Sequence, residues 1–244
     1  MIGEGQARRF DVIRGIGIKA SPAGVIGKLD VIRSLRQIEV VDSTLSHDDI
    51  ECLKQCHALV ELCLAGTGIT DEACALLALR KKIQVLSLSR ENGITTSGIN
   101  SFNMASLQRL SLLDCHNVVE PIDEILRAAP QLSGLELAGS QFSDRSIEAA
   151  STCPLLTEIH LRNLDVSDAG LGELSNAPQL QQVFLSGSSR VTERGIAAIL
   201  GKPQFRFFLW SEIGVDEQSF AELQSIQTDF TWRGTASYAR VRRK

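Results

Sequence analysis

Apolar residues recur along the chain in a short run of the form apolar-x-x-apolar-x-apolar, and successive runs begin about 24 residues apart. Eight runs begin at Leu35, Leu59, Ile83, Leu107, Leu132, Leu156, Leu180 and Phe205. The last part of each run alternates apolar with other residues, which is typical of a short β-strand with one buried face. A fixed period of this length predicts a repeat array whose neighbouring units bury a continuous core.

The second half of each unit predicts a helix. Apolar residues there follow a helical spacing, as in Leu171 and Leu174. Polar residues that can cap a helix precede this pattern: Ser46, Thr70, Thr95, Ser143, Ser167, Thr192 and Asp216. Acidic residues that favour the helix dipole occupy the first turn: Asp71, Asp144, Asp168 and Glu193. One unit has Glu120-Pro121 instead, and we expect Pro121 to be the first helical residue.

The segment from Leu107 to Val118, with Cys115 near its end, carries the fullest form of the repeat. It resembles the leucine-rich repeat of the cysteine-containing subclass, as in F-box-associated and bacterial stand-alone leucine-rich-repeat proteins. The resemblance implies an α/β horseshoe solenoid of eight to nine repeats, with a parallel sheet on the concave side and helices on the convex side. Ser43, Thr67, Ser140 and Ser188 replace the usual turn residues. We expect their hydroxyls to bond the backbone of adjacent units.

Three segments follow from the repeat pattern. Residues 1–34 are expected to form a degenerate first repeat and N-terminal cap, residues 35–228 the solenoid, and residues 229–244 a C-terminal cap and basic tail. Most of the aromatic residues lie close to the C-terminus. Large rings such as Phe230 and Trp232 can either cover the open end of the array or form a binding surface.

Composition narrows the function classes. The chain has a formal net charge of −4 and is 43% hydrophobic, and its apolar runs are too short to cross a bilayer. Its six cysteines lack a framework spacing, which favours a reducing compartment. The first residues carry no signal-peptide pattern. We therefore expect a cytoplasmic protein.

Candidate chemistry is sparse. Cys52, Cys56 and His57 form the best metal-ligand group, but their positions fit the repeat's own core better. A nucleophilic role for Cys63 or Cys115 would need an adjacent base, and the sequence indicates none. We therefore expect no enzyme activity, metal, cofactor or small-molecule substrate.

The remaining candidate is a surface. Residues between the buried positions of each strand project from the concave side of a repeat sheet. In the C-terminal third, these outward positions combine aromatic, aliphatic and charged residues: Glu158, His160, Arg162, Phe184, Phe207 and Leu209. Aromatic residues beside mixed charge are typical of a protein interface. The alternative is that the C-terminal cap partly covers these rings.

These patterns predict a non-enzymatic scaffold that binds a partner protein on the concave face. The alternative is a regulatory or structural subunit of a larger assembly, docked through its end caps or through a basic C-terminal tail. That tail contains Arg233, Arg240, Arg242, Arg243 and Lys244 and is expected to be solvated or to contact acidic surface. Because the rest of the chain is acidic, we do not expect nucleic-acid or membrane contact.

Overall fold

In the computed structural model, the described side chains fall in residues 15–19, 21, 23–24, 26, 35–79, 83–202, 204–213, 215, 219 and 223. The backbone of residues 230–235 and 238–243 is also described. The chain divides into two compact units, Met1–Val118 and Val119–Lys244, which we treat separately as unit 1 and unit 2.

Unit 1 alternates strands with helices. Its described strands are β1 (Gly15–Lys19), β2 (Gln37–Val41), β3 (Glu61–Ala65), β4 (Val85–Ser89) and β5 (Arg109–Leu113). Its described helices are α1 (His47–Gln55), α2 (Asp71–Ala78) and α3 (Thr96–Asn100), and a 3₁₀ turn follows at Met104–Ser106. The five strands pair in sequence order and in parallel.

Unit 2 repeats this plan and then departs from it. Its described strands are β6 (Gly134–Ala138), β7 (Glu158–Arg162), β8 (Gln182–Ser186), β9 (Phe207–Ser211), β10 (Phe230–Thr235) and β11 (Tyr238–Arg243). Its described helices are α4 (Asp123–Arg127), α5 (Asp144–Ser151), α6 (Asp168–Glu173) and α7 (Glu193–Leu200), with a 3₁₀ turn at Leu174–Asn176. Strands β6 to β9 are parallel neighbours. Strand β11 then pairs antiparallel with β9, and β10 antiparallel with β11.

The core of each unit lies on one face of its strands. The second and fourth residues of each repeat strand are buried, as with Ile159 and Leu161 of β7, which have 0% exposure. Apolar helix residues such as Ile147 and Leu171 are also fully buried. Burying one such side chain contributes about 1.5–3 kcal/mol. The alternation in the apolar run therefore correctly predicts which strand residues enter the core.

A left-handed residue ends each repeat strand. The positive backbone φ angles recur at Asp42, Gly66, Arg90, Asp114, Gly139, Asn163, Gly187 and Glu212. At six of these positions the amide donates to the last residue of the next strand, as Asn163 N does to the Ser186 carbonyl at 2.8 Å. This bond offsets the cost of about 1–2 kcal/mol for placing a residue with a Cβ in this conformation.

Most of the expected N-caps are confirmed. The side chains of Ser46, Thr95, Ser143, Ser167 and Thr192 accept a hydrogen bond from a first-turn amide. Thr70 precedes α2 without such a bond, because its hydroxyl lies 2.5 Å from the Glu72 carboxylate and donates to it. Asp216 lies outside the described residues.

The expectation that Pro121 starts a helix is wrong. Helix α4 begins at Asp123, and Ile122 precedes it as the N-cap residue without a side-chain bond. The carboxylate of Glu120 instead accepts hydrogen bonds from Ser143 and Ser146 of the following repeat. The Glu120 side chain therefore serves the start of the next helix, while the Ile122 carbonyl accepts the first hydrogen bond of its own helix.

Acidic side chains join the start of one repeat helix to the start of the next. In unit 2, the Asp144 carboxylate accepts from the Ser167 amide at 2.7 Å and the Ser167 hydroxyl at 2.6 Å. Asp168 binds the amide and hydroxyl of Thr192 at the same two distances. We call these paired bonds acidic clamps. The first-turn acids were predicted to favour the helix dipole, and here they also satisfy backbone groups of a neighbouring repeat.

Glycine makes room for the acidic clamps. A Cβ atom on Gly195 would lie 2.5 Å from the Asp168 Oδ1 atom. A Cβ on Gly170 would collide in the same way with the carboxylate of Asp144. Both glycines occupy the first turn of their helices. The clamp therefore depends on three residue types at fixed offsets: an acid, a hydroxyl residue in the next repeat and a glycine three positions after that hydroxyl.

The predicted role of the turn hydroxyls is only partly correct. The Ser43 hydroxyl accepts from the Ser21 amide of the preceding repeat, as expected, and donates to the Val41 carbonyl. Thr67 instead donates to the buried Glu91 carboxylate, through its amide and through its hydroxyl, each at 2.8 Å. The Gly68 amide donates to the same carboxylate. The Ser188 hydroxyl is buried without a hydrogen-bond partner in the described part of the chain.

The two ends of the chain differ. In residues 1–34, β1 pairs with β2, and Asp49 accepts from the amides of Gly24 and Ile26; much of this segment lies outside the described residues. At the other end, residues 230–235 and 238–243 are strands instead of a tail. The sequence from Ala239 to Arg242 alternates small or apolar residues with arginines, which suits a strand.

Candidate protein-interaction face

The six predicted interface residues lie on one face of the unit 2 sheet. In the strand register, Glu158 pairs with Gln182 and His160 with Phe184. Gln182 in turn pairs with Phe207, and Phe184 with Leu209. Directly paired residues share a face of the sheet. Arg162 occupies the same face of β7, because its neighbour Leu161 is buried on the other. We call this surface the outward face of unit 2.

Three rings follow one another across this face. His160 and Phe184 are stacked, with ring centroids 4.0 Å apart and an interplanar angle of 12°. The centroids of Phe184 and Phe207 are 5.2 Å apart and the planes are tilted by 46°. We call His160, Phe184 and Phe207 the aromatic cluster. All three rings are partly exposed, and pairs of this kind contribute about 0.5–1.5 kcal/mol beyond the area that they bury.

Charged groups border the aromatic cluster. The Nε2 atom of His160 lies 2.6 Å from the Glu158 Oε1 atom. Arg162 Nη2 lies 2.6 Å from the Glu136 Oε1 atom. The ion pair of Arg162 with Glu136 is partly exposed and adds only about 0–1 kcal/mol to stability. The contact with Glu158 holds the His160 imidazole in place beside Phe184.

Glu136 was not among the six predicted interface residues, although it contacts one of them. The repeat pattern contains the signal that would have added it, because Glu136 stands 24 positions before His160 at the equivalent outward position. Its contact with Arg162, however, crosses from the middle of one strand to the end of the next. The strand pattern alone does not predict a diagonal contact of this kind.

The C-terminal hairpin continues the sheet beside the aromatic cluster. In β11, Arg242 pairs with Phe207 and Arg240 with Leu209. The sequence left open whether a C-terminal cap covers the rings. The described backbone places this hairpin edge to edge with β9, and the side chains of Phe184, Phe207 and Leu209 remain partly exposed.

Three cysteines lie in surroundings that keep the thiol protonated. Burial raises the pKa of Cys115 to about 11 and that of Cys153 to about 11. Burial, aided by the charges of Glu39 and Glu61, also raises the pKa of the half-buried Cys63. A protonated thiol is a poor nucleophile and a poor metal ligand.

The described residues also contain no group of three or more His, Cys, Asp or Glu side chains able to hold a metal ion. In the same part of the chain, no helix is both long enough and apolar enough to span a membrane.

Solved structures provide the comparison with known proteins, since no family model matches the chain. A chain of the yeast Rad7–Elc1 complex matches 76% of this chain over 52% of its own length, with 20% identity and a TM-score of 0.60. An internalin (inlF) from Listeria monocytogenes matches 89% of this chain over 66% of its own, with 14% identity and a TM-score of 0.59. Internalin C2 (inlC2) of the same organism matches 86% over 83%, with 17% identity and a TM-score of 0.56.

These likenesses establish the fold. Internalins are leucine-rich-repeat proteins, and the alternation of parallel strands with helices in both units agrees with them. The predicted α/β leucine-rich-repeat solenoid is therefore confirmed. The chain spans about half the length of the yeast chain and just under two thirds of inlF.

Proposed function

We propose that this protein is a non-enzymatic scaffold that binds a partner protein through the outward face of unit 2. The observation that carries the proposal is the aromatic cluster of His160, Phe184 and Phe207. Outward strand positions do not pack into the repeat core, so the solenoid itself does not require large rings there. Three contacting rings on this face are best explained by a partner that buries them.

The surroundings of the cluster fit an interface. Aromatic residues dominate the energetics of protein interfaces when they lie at the centre of a patch with a polar rim. Here Leu209 extends the apolar centre, while Glu158 and Arg162 supply polar groups at its edge. The fold supports the same function, because repeat solenoids offer extended surfaces for binding.

Two further assignments belong to this proposal. The first is that the protein acts in the cytoplasm. Its six free cysteines, which form no disulfide, support this assignment. Its repeats belong to the cysteine-containing subclass, supported by Cys115, which is fully buried and whose thiol donates to the carbonyls of Leu88 and Leu113.

Site-specific photo-crosslinking tests the proposed face. A photo-reactive phenylalanine analogue replaces Phe184 in one variant and Ser87, an outward residue of unit 1, in a matched variant. In an extract of cells that express the protein naturally, the probe at position 184 should give a discrete crosslinked product that the probe at position 87 does not. Purified wild-type protein added in excess should suppress this product, whereas the Phe207→Ala variant should suppress it poorly.

The same experiment distinguishes the proposed face from docking through the C-terminus. Equal products from positions 184 and 87, or equal competition by wild type and Phe207→Ala, would contradict the proposal. A third probe at Lys244 tests the alternative of a subunit docked by its basic C-terminus. A product from position 244 alone would replace the proposed face with that alternative.

A further inference from the structure

Arginines of the C-terminal hairpin share a face with the aromatic cluster. Arg242 pairs with Phe207 and Arg240 with Leu209 across β9 and β11. Arg233 of β10 pairs directly with Arg240. Because residues directly opposite each other in a sheet share a face, positions 233, 240 and 242 continue the outward face of unit 2.

The register therefore brings three arginine positions onto two adjacent strands, with positions 233 and 240 directly paired. On the described strands β8, β9, β10 and β11, no outward position carries an acidic residue, and the acids of this face lie on β6 and β7. The described outward positions of these four strands therefore offer no acidic residue beside the three arginine positions.

We propose that the partner presents an acidic segment to these arginines together with an aromatic or aliphatic side chain that packs on the aromatic cluster. This inference rests on the proposed function and specifies the chemistry of the partner. Carboxylates across from a cluster of arginines give both charge complementarity and paired hydrogen bonds. The rings beside them accept the apolar side chain.

The strand spacing sets the distance between the two parts of this motif. Neighbouring strands lie about 4.8 Å apart, so β8 with Phe184 and β10 with Arg233 are separated by three spacings, roughly 14 Å. An extended peptide advances about 3.3 Å per residue. The acidic residues of the partner should therefore lie about three to four residues from the apolar anchor, opposite β11 and β10.

A protein segment fits this face better than a nucleic acid does. Stacking rings beside arginines could also receive bases and phosphates. However, Glu136 and Glu158 lie on the same outward face and would repel a phosphate backbone that continues along it. The chain as a whole also carries a net charge of −4, opposite to the usual charge of nucleic-acid-binding proteins.

Fluorescence anisotropy with defined probes tests the inference on the full chain. The main probe is a fluorescein-labelled peptide in which one tryptophan is followed by a run of glutamates. Its control peptide has glutamines in place of the glutamates, and a labelled single-stranded RNA oligonucleotide is the third probe. We expect the acidic peptide to bind about tenfold or more tightly than the glutamine peptide, and its binding to weaken as salt is added.

Two sets of variants assign the binding to the proposed groups. The double variant Arg240→Gln and Arg242→Gln should abolish the preference for the acidic peptide and most of its salt dependence. Arg190→Gln removes an arginine whose partner is Asp165, away from the outward face, and should leave both unchanged. Phe184→Ala should weaken binding of both peptides. Circular dichroism checks that each variant is folded.

The outcomes separate this inference from the proposed function. Equal binding of the acidic and glutamine peptides, or an acidic preference that survives the double arginine variant, would overturn the acidic-partner inference. Tighter binding of the RNA than of the acidic peptide, lost in the double variant, would overturn it in favour of nucleic acid. The photo-crosslinking product from position 184 depends on none of these probes, so it tests the protein-binding face independently.

Discussion

The outward faces of the two units carry different residues on the same repeat. At the middle outward position, unit 1 has Glu39, Cys63, Ser87 and Ser111, whereas unit 2 has Glu136, His160, Phe184 and Leu209. The buried positions are alike in both units, with leucine, isoleucine and valine predominating. The buried pattern therefore determines the fold, whereas the outward pattern varies independently of it and is free to differ between the units.

The largest effect should be common to both units, because it concerns the shared core. We expect Leu86→Ala in unit 1 and Ile159→Ala in unit 2 each to lower the free energy of unfolding by about 2–5 kcal/mol, since both side chains are fully buried and leave a cavity. Urea denaturation followed by circular dichroism measures this. A loss confined to one unit would show that the two cores are not equivalent.

The two outward faces should differ in partner binding when their residues are replaced by alanine. Phe184→Ala and Phe207→Ala should weaken partner binding by about 2 kcal/mol or more, roughly 30-fold, because each removes a ring at the centre of the proposed interface. Ser87→Ala and Ser111→Ala change outward positions of unit 1 and should have little effect. Isothermal titration calorimetry with the crosslinked partner gives these affinities. Equal affinities for the four variants would place the interface elsewhere.

Loss of an acidic clamp should lower stability more in unit 2 than in unit 1. In unit 2, Asp168→Ala removes the acceptor of a partly buried amide and hydroxyl of Thr192, and we expect it to cost about 1–3 kcal/mol of stability. In unit 1, Asp71 binds Thr95 at exposed positions, so water can replace the lost bonds and Asp71→Ala should cost less. The urea denaturation midpoints of the two variants, each compared with that of the wild type, measure the two losses of stability. A larger loss from Asp71→Ala would contradict this ranking.

A pH effect should arise from Glu120 of unit 2. Burial raises the pKa of this carboxyl, but hydrogen bonds from Ser146 and Ser143 outweigh burial and lower its pKa below the ordinary value. A lowered pKa in the folded state adds stability above the ordinary glutamate value of about 4.3, and this stability is lost as the pH falls further.

Substitution of Glu120 isolates this contribution. The Glu120→Gln variant should be less stable than wild type at neutral pH and should lose less stability on acidification. The exposed Glu148 provides a matched control in the same unit. Thermal unfolding at neutral and acidic pH measures both variants, and parallel pH profiles for wild type and Glu120→Gln would refute the assignment.

The smallest expected effect is chemical and belongs to unit 1. Cys63 is the one cysteine of the six that is not buried, so a thiol reagent should modify it first in native protein. Because its pKa is raised, the rate should increase as the pH rises beyond the ordinary thiol range. Peptide mass mapping after brief labelling identifies the modified site. Rapid modification of Cys153 in folded protein would contradict the burial found in unit 2.

Much of this fold could be predicted because the repeat encodes it locally. The period indicates where each strand begins, and the alternation within each run indicates that Ile159 is buried and His160 outward. The strand period and parallel pairing in sequence order were enough to place the six predicted interface residues on one face. These residues are Glu158, His160, Arg162, Phe184, Phe207 and Leu209. Their role in binding stays a prediction.

The features that could not be predicted depend on contacts outside the regular pattern. The reversal that pairs β11 with β9 breaks the parallel order, so the arginines around position 240 looked like a solvated tail. The bonds from Glu120 to the following repeat require the spacing between two helix starts, which no single repeat contains. A search for acids placed 23 or 24 residues before a capping hydroxyl would have found this signal.

The acidic clamps of unit 2 have a consequence for how such a chain can change length. Ser143-Asp144 and Ser167-Asp168 are the same dipeptide at the same point of two successive repeats. Excision of residues 144–167 would join Ser143 to Asp168 and recreate that dipeptide at the new junction. Glu120 would still meet Ser143, and Asp168 would still meet Thr192. Gain or loss of this whole repeat therefore keeps each acid paired with a capping hydroxyl. Its loss removes the bond from the Ser146 hydroxyl to Glu120, because Gly170 then occupies that place.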